Sequence, residues 1–500
     1  MTYFGLSKSK IAAFEQCSKL LWLSVHKPEE AFVDTATAAK FAAGHSVGDI
    51  ACHAYPDGIM IDAEPSMNAA ILKTAELLEL DPPRPLFEAT FRRENVLVRV
   101  DLMIPSGDGR WHVAEVKSST SAKAYQLSDL ATQLWVLEGC GVPVASASIR
   151  HIDNGFVYTL EGDYLGLFKD SLSDELLGPL LATRPDLVRG ALATLQGREP
   201  PLQPGDHCHD PFSCPFVDYC HRDLVMPAWP IALLPNSGKK LAQKWGEKGK
   251  VDLAELTEQD LANELHQRIH RATLDDRAFH DVAGATQATA HWAEPLAYLD
   301  FETIAFAVPR WIGTRPYQAI PFQFSAHVEN ASGSLTHHQF LDCSGSDPRR
   351  GCAEALIRVL PREGAIIAYN ASFERSRIRE LASFFSDLTG ELTAIAERIV
   401  DLLPVAKAHY YHRDQRGSWS IKSVLPTLAP ELDYGALDVG DGGAAQLAFE
   451  EALDPATSVE RKAALQQALL AYCTLDTWAM VVLRARLCGR EVPPKASQAA

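Results

Sequence analysis

Asp300 and Glu302 lie two residues apart in PLAYLDFETIAF (295–306), an otherwise apolar run bracketed by Pro295 and Pro309. Such a run reads as a buried strand, and a two-residue period puts both carboxylates on one face. Acidic residues are poor strand formers and costly to bury without a partner. A bound divalent cation compensates the buried charge and brings a chemistry with it: it polarises a phosphoryl group and lowers the pKa of a bound water. A two-metal centre needs further carboxylates from other elements. GAIIAYNASFERSRIREL reads as a strand running into a turn at Asn370, then a helix presenting Phe373 and Glu374. LLAYCTLDTWAMVVL places Tyr472 and Asp476 four apart, hence on one helix face. The ordered set is D-x-E, N-x-x-F-E and Y-x-x-x-D. Asp401 in ERIVDLLPV is a substitute carboxylate should Glu374 not be a ligand.

The first half of the chain carries a different constellation. In LVRVDLMIPSGDGRWHVAEVKSS one strand ends in Asp101, and a second, beyond a turn-rich loop, carries Glu115 and Lys117 on one face. Carboxylates that hold Mg²⁺, with a lysine to position water and stabilise developing charge, again suit phosphodiester hydrolysis. Taken alone, D…E-x-K also fits an exposed strand edge of alternating charge. The next helix, AYQLSDLATQLWVL, presents Tyr125, Asp129 and Gln133 toward the same end of the sheet. Of the ten cysteines, Cys208, Cys214 and Cys220 cluster in CHDPFSCPFVDYC, beside His207, His209 and His221. Clustered thiols in a cytosolic chain point to metal before disulfide, and tetrahedral Zn²⁺ is one candidate.

These groups need elements to position them. Five hundred residues exceed one hydrophobic core, so two or three domains are expected. Helices are expected over SKSKIAAFEQCSKLLWL, 37–55, 67–79 and 123–139, and strands near 86–92, 96–104, 111–117, 144–150 and 155–160. This alternation indicates an α/β core. GREPPLQPGDH and PAWPIALLPNSGKK mark boundaries. Residues 1–230 form a first domain, and 231–290 a polar helical spacer with a basic run from Lys239 to Lys250. Residues 291–490 form a second α/β domain ending in a helix near 458–488, and 491–500 a disordered tail. The net charge of −17 argues against coating DNA by bulk charge, although a local groove and bound metals can still meet phosphates. The start lacks the apolar core of a signal peptide, and no run of about 18 apolar residues is seen. A cytoplasmic protein with no membrane partner is the expectation.

The first constellation resembles a PD-(D/E)xK nuclease of the RecB type, in particular the CRISPR-associated RecB-like exonucleases and the AddB nuclease domain. The resemblance implies a restriction-endonuclease-like αβββαβ core with Asp101 and Glu115 as metal ligands, Lys117 as the catalytic lysine and Gln133 in support. It also implies a [4Fe–4S] cluster held by Cys17 of AAFEQCSKLLWL with Cys208, Cys214 and Cys220, although C-x5-C-x5-C departs from the usual C-x2-C step. Relatives place a metal-binding His where FAAGHSVGDIACH has Gly48, with His45, Asp49 and His53 nearby. The second set resembles the DnaQ-like DEDD exonucleases of ribonuclease H-like fold, in the subclass with a motif tyrosine. This implies that Asp300, Glu302 and Asp476 bind catalytic Mg²⁺ or Mn²⁺, that Glu374 (usually Asp) supports the second metal, and that Tyr472 orients the attacking water. The layout is similar to an uncharacterised bacterial family with that C-terminal domain. The expected function is a metal-dependent 3′→5′ DNA exonuclease with a second, RecB-like nuclease domain, acting on single-stranded or end-frayed DNA in repair or defence against foreign DNA. The alternatives are an RNA exonuclease, or a binding protein whose RecB-like half holds a strand without cutting it. Lys422 and Arg416 are candidate phosphate contacts; Tyr317 could stack on a base, while Phe322 reads as core.

Overall fold

A computed structural model describes residues 5–32, 46–172, 174–432, 434–495 and 497–498. His45 and the start of the helix expected over 37–55 lie outside the described residues; 46–53 is helical. The chain divides into two compact units, both mixed α/β. Unit 1 takes Met1–Leu224 with Phe306–Gln318, and unit 2 takes Val225–Ala305 and Ala319–Ala500.

Unit 1 is built on a seven-stranded mixed sheet of β1 (Leu6–Ser7), β2 (Ile59–Met60), β3 (Leu86–Arg93), β4 (Val96–Pro105), β5 (Trp111–Lys117), β6 (Val144–Ile152) and β7 (Phe168–Leu172). The order is β2-β3-β4-β5-β6-β7, with β1 beside the start of β4. β3, β4 and β5 pair antiparallel in sequence order. The helix Ala124–Gly139 then returns the chain so that β6 runs parallel to β5. Along β5 the odd positions Trp111 and Val113 enter the core, and the same face continues into Glu115 and Lys117. The first helix breaks at Cys17, whose extended backbone ends Lys8–Gln16 and whose Sγ accepts the Leu20 N–H that opens Ser18–His26. The strand expected at 155–160 is absent. Tyr158 instead exchanges backbone hydrogen bonds with Gly313 and Thr314, a partner 155 positions on that no local pattern reveals, and the edge strand is β7.

Unit 2 contains β8 (Phe279–His280), β9 (Leu296–Ile304), β10 (Ile320–Glu329), β11 (Leu335–Leu341), β12 (Ile366–Ala368), β13 (Ile399–Asp401), β14 (Tyr410–Tyr411) and β15 (Ser497–Gln498). Its six-stranded sheet has the order β13-β12-β9-β10-β11-β15, and β8 pairs with β14 separately. β9 is central, antiparallel to β10 and parallel to β12. Its odd residues Ala297, Leu299 and Phe301 pack under the helices Arg349–Val359, Ser372–Phe384 and Thr389–Glu397. Its even residues Leu296 and Tyr298 pack with the C-terminal half of the helix Val459–Leu487. Asp300 and Glu302 continue that second face. The helix Val459–Leu487 is long and apolar enough to cross a membrane, but 72% of its apolar window is buried in the protein, as a core helix is. Residues 231–290, expected as a spacer, supply Ile231, Leu234, Trp245, Leu253 and Ile269 to the same core. The tail includes Ser497–Gln498, which pair with Thr336 and His337 of β11.

β12 reaches β9 through Gly364, whose φ of +86° belongs to the left-handed region and whose added Cβ would lie 1.9 Å from the Pro295 carbonyl oxygen. Gly364→Ala is expected to destabilise unit 2 by roughly 2 kcal/mol or more, read as a lowered denaturation midpoint. An unchanged midpoint contradicts this account of the β9–β12 junction.

Candidate functional site

Asp300 and Glu302 of β9 meet Asp476 of the helix Val459–Leu487, and one carboxylate oxygen from each lies within 4.8 Å of the others. Glu302 is 7% exposed and Asp476 8%. Two ionised carboxylates at such a separation repel by about 3 kcal/mol at an effective dielectric of about 20. The groups respond by holding protons. Burial, then Asp476, Glu302 and Glu374, push the Asp300 carboxyl well above its ordinary range. Burial and Asp476 raise Glu302 to about 8, against partial relief from Lys422. Burial also raises Asp476, despite a hydrogen bond from the Tyr434 hydroxyl to its Oδ1 at 2.7 Å.

Glu374 is 3% exposed, its pKa is raised by burial to about 7, and its Oε2 has no hydrogen-bond partner among the described residues. It stands outside the 4.8 Å group, yet its charge reaches Asp300. Asn370, in the left-handed conformation at φ +69°, turns the chain from β12 into the helix that carries it. Asp401 is otherwise engaged: its Oδ1 accepts the Asn370 and Leu403 backbone N–H groups at 3.0 Å. Tyr472 lies one helical turn before Asp476, and its hydroxyl accepts from Lys422 Nζ at 3.1 Å. Lys422 also donates to the Gly440 carbonyl at 2.7 Å. Arg416, the other candidate phosphate contact, donates through Nη1 to the Ala228 carbonyl, and its guanidinium covers Trp229. Phe322 is core, stacked on Phe449 at 3.9 Å. Sequence reasoning missed Tyr434 and Cys473, whose thiol lies 3.8 Å from Asp300 Oδ2. Cys473 adjoins Tyr472 in sequence and is findable from that motif, whereas nothing local marks Tyr434.

In unit 1 the structure brings Asp101, Glu115, Lys117, Asp129 and Gln133 together, and adds Lys8 from the first helix. Lys8 Nζ donates to Glu115 Oε1 in a short contact, and Lys117 Nζ donates to the same oxygen at 2.8 Å. The Gln133 amide donates to Oε2. Lys117 also reaches Asp129 at 3.3 Å, and Asp101 Oδ2 accepts the Val116 backbone N–H at 2.7 Å. Burial pulls the Glu115 pKa up, but the two ammonium groups outweigh it and bring it to about 2. Burial and Glu115 raise Asp101 to about 7. Gly48, Asp49 and His53 lie on or beside the helix 46–53 and enter none of these hydrogen bonds among the described residues. A cleft of about 1860 Å³, lined wholly by unit 1 residues, opens beside Lys117 and Asp129. Tyr125, Phe212, Arg315 and Tyr317 also line it, and the Tyr317 hydroxyl donates to the Ser118 carbonyl.

Cys17, Cys208, Cys214 and Cys220 line one small cavity together with Leu20, Leu23 and Phe216. Burial raises the Cys214 thiol to about 11, with a contribution from the sulfurs of Cys208, Cys17 and Cys220. Among the described residues, the acidic triad, and no cysteine triple, has its ligand atoms within 4.8 Å of one another. Cys208 is buried, and Cys17, Cys214 and Cys220 are half-buried.

Residues 297–420 match the model of a family described as a domain of unknown function (DUF2779). The chain is 27% identical over 211 residues to the uncharacterized protein UU173 of Ureaplasma parvum serovar 3, covering 37% of this chain and 30% of that protein. It is 26% identical over 213 residues to the uncharacterized MG366 homolog of Mycoplasma pneumoniae, covering 38% and 32%. The chain thus spans about a third of the length of these curated relatives.

The raised carboxyls of unit 2 carry a sign. With Glu302 moved from 4.5 to about 8, the folded protein holds a proton that the unfolded chain releases between those values, so metal-free stability falls as pH rises through that window. Melting temperature should drop across that window in metal-free protein, and the drop should shrink in Glu302→Gln. Mn²⁺ binding near pH 7 should release protons, read by calorimetry in two buffers of different ionisation enthalpy. Equal heats in the two buffers contradict the assignment.

Proposed function

We propose that unit 2 is a metal-dependent 3′→5′ exonuclease of the DnaQ-like, ribonuclease H-like class, acting on DNA. The observation that carries this reading is the triad of Asp300, Glu302 and Asp476, a donor set of hard oxygens whose mutual repulsion a bound divalent cation would relieve without protonation. Glu374, whose charge reaches Asp300, adds a fourth buried carboxylate nearby. The central D-x-E strand, antiparallel to one neighbour and parallel to the other, supports the fold assignment. Asp300, Glu302 and Asp476 would hold Mg²⁺ or Mn²⁺ with support from Glu374; when bound, the metal supplies phosphoryl polarisation and an acidic water. Lys422 donates to the Tyr472 oxygen and the Tyr472 hydroxyl hydrogen-bonds Asp476, which fixes the phenol beside the carboxylates; once a metal occupies Asp476, the phenolic proton would turn to orient the attacking water. Tyr434 holds one oxygen of Asp476 in place.

For unit 1 we favour the reading in which a RecB-like domain holds the strand without cutting it. The element order of helix, three antiparallel-joined strands, helix and strand supports the restriction-endonuclease-like class. Its carboxylates do not fit a metal as they stand, because Glu115 accepts from three side chains and Asp101 Oδ2 is taken by the backbone. The cleft lined by Lys117, Arg315, Tyr125 and Tyr317 offers cations and ring faces suited to a single strand. The four cysteines would hold a [4Fe–4S] cluster whose thiolate bonds tie the first helix to the end of the domain.

Asp300→Ala or Asp476→Ala should abolish stepwise shortening of 3′-ends on end-labelled single-stranded DNA, while Tyr472→Phe slows it by roughly 10²-fold with metal binding retained. A wild-type ladder from Asp300→Ala refutes the site, and faster digestion of matched RNA decides for the RNA exonuclease. Protein purified without oxygen should be brown and contain iron and sulfide, and Cys208→Ser should lose both; stoichiometric zinc without iron decides for the tetrahedral site.

A further inference from the structure

The two carboxylate sites of this chain balance their charge by different means. In unit 2, among the described residues, the ammonium whose charge acts on Glu302 and Asp476 is Lys422, and its hydrogen bonds go to Tyr472 and Gly440 rather than to a carboxylate. In unit 1 Lys8, 21% exposed along its side chain, ends directly on Glu115, which is 1% exposed. Lys8 reaches that position because Ser7 caps the helix Lys8–Gln16 and β1 pairs with the start of β4, the strand that bears Asp101. The Asp101 and Asp129 charges also act on the Lys8 ammonium, alongside its direct contact with Glu115. Gln133 closes the other Glu115 oxygen.

We propose that Lys8 is the resident cation of the unit 1 centre, taking the place a divalent metal would have between Asp101 and Glu115. The site is then complete without metal, and a divalent cation enters only if the Lys8 ammonium leaves. This concerns which cation neutralises unit 1, and it stands or falls apart from the exonuclease reading of unit 2. Removing Lys8 leaves Glu115 with Lys117 and Gln133, so the carboxylate is weakened but not stranded. It also frees one lone pair on Glu115 Oε1, which a small hard cation can take.

The test uses the full chain carrying Asp300→Asn and Asp476→Asn, so that Mn²⁺ cannot report on unit 2. Bound Mn²⁺ is counted from the loss of the free-ion paramagnetic resonance signal. With Lys8 present, Glu115→Gln should leave Mn²⁺ binding unchanged. Lys8→Met should gain one site, tighter by about tenfold or more, that Glu115→Gln removes; Lys8→Arg, which keeps the charge, should gain none. Mn²⁺ binding by the Lys8-containing protein that Glu115→Gln abolishes overturns the proposal, and this arm needs no Lys8 variant to fold. A folded Lys8→Met that gains no site overturns it as well.

Discussion

Three carboxylates held within 4.8 Å of one another, two of them nearly inaccessible to water, set the terms for unit 2. Their burial keeps solvent from dissipating the repulsion, and without a cation the groups retain protons instead. Most of the surrounding architecture bears on keeping them there. β9 is flanked on both sides by paired strands, which fixes the register of Asp300 and Glu302. The helix Val459–Leu487 is anchored by its buried C-terminal half, which fixes Tyr472 and Asp476. A cluster this unfavourable is retained in a fold only where the rest of the core outweighs it, and such strain is characteristic of functional sites.

Unit 1 shows the opposite solution with similar residue types. There Glu115 accepts from Lys8, Lys117 and Gln133, and its pKa falls to about 2 where that of Glu302 rises to about 8. Both acids are buried on the core face of a strand, so burial does not explain the difference. What differs is the direction of neighbouring ammonium groups: two point at Glu115, whereas Lys422 points at a phenol and a carbonyl. A motif match therefore identifies residue types, and the donors around them decide whether the site demands a cation or already has one.

Legibility in the sequence followed the range of the interactions. Asp300 with Glu302, Glu115 with Lys117, and Tyr472 with Asp476 are set by strand or helix period, and each pair does share a face. The strands at β3, β4 and β5 were legible for the same reason. Lys8, 107 positions from Glu115, and Tyr434, 42 from Asp476, are joined to their sites only by tertiary packing, and no local pattern marks them. Residues 231–290 look polar because their apolar residues are spread over short turns, yet Trp245 and Leu253 are buried. Tyr158 and its neighbours read as a strand, but the backbone partners of Tyr158 are Gly313 and Thr314.

The central claim, that unit 2's acids are a cation site and unit 1's are not, is tested most directly by anomalous diffraction from crystals of this 500-residue chain grown with Mn²⁺. The account predicts strong anomalous density between Asp300, Glu302 and Asp476, with none between Asp101 and Glu115 while Lys8 stays on Glu115. Density at Asp101 and Glu115 with the unit 2 triad empty would contradict it.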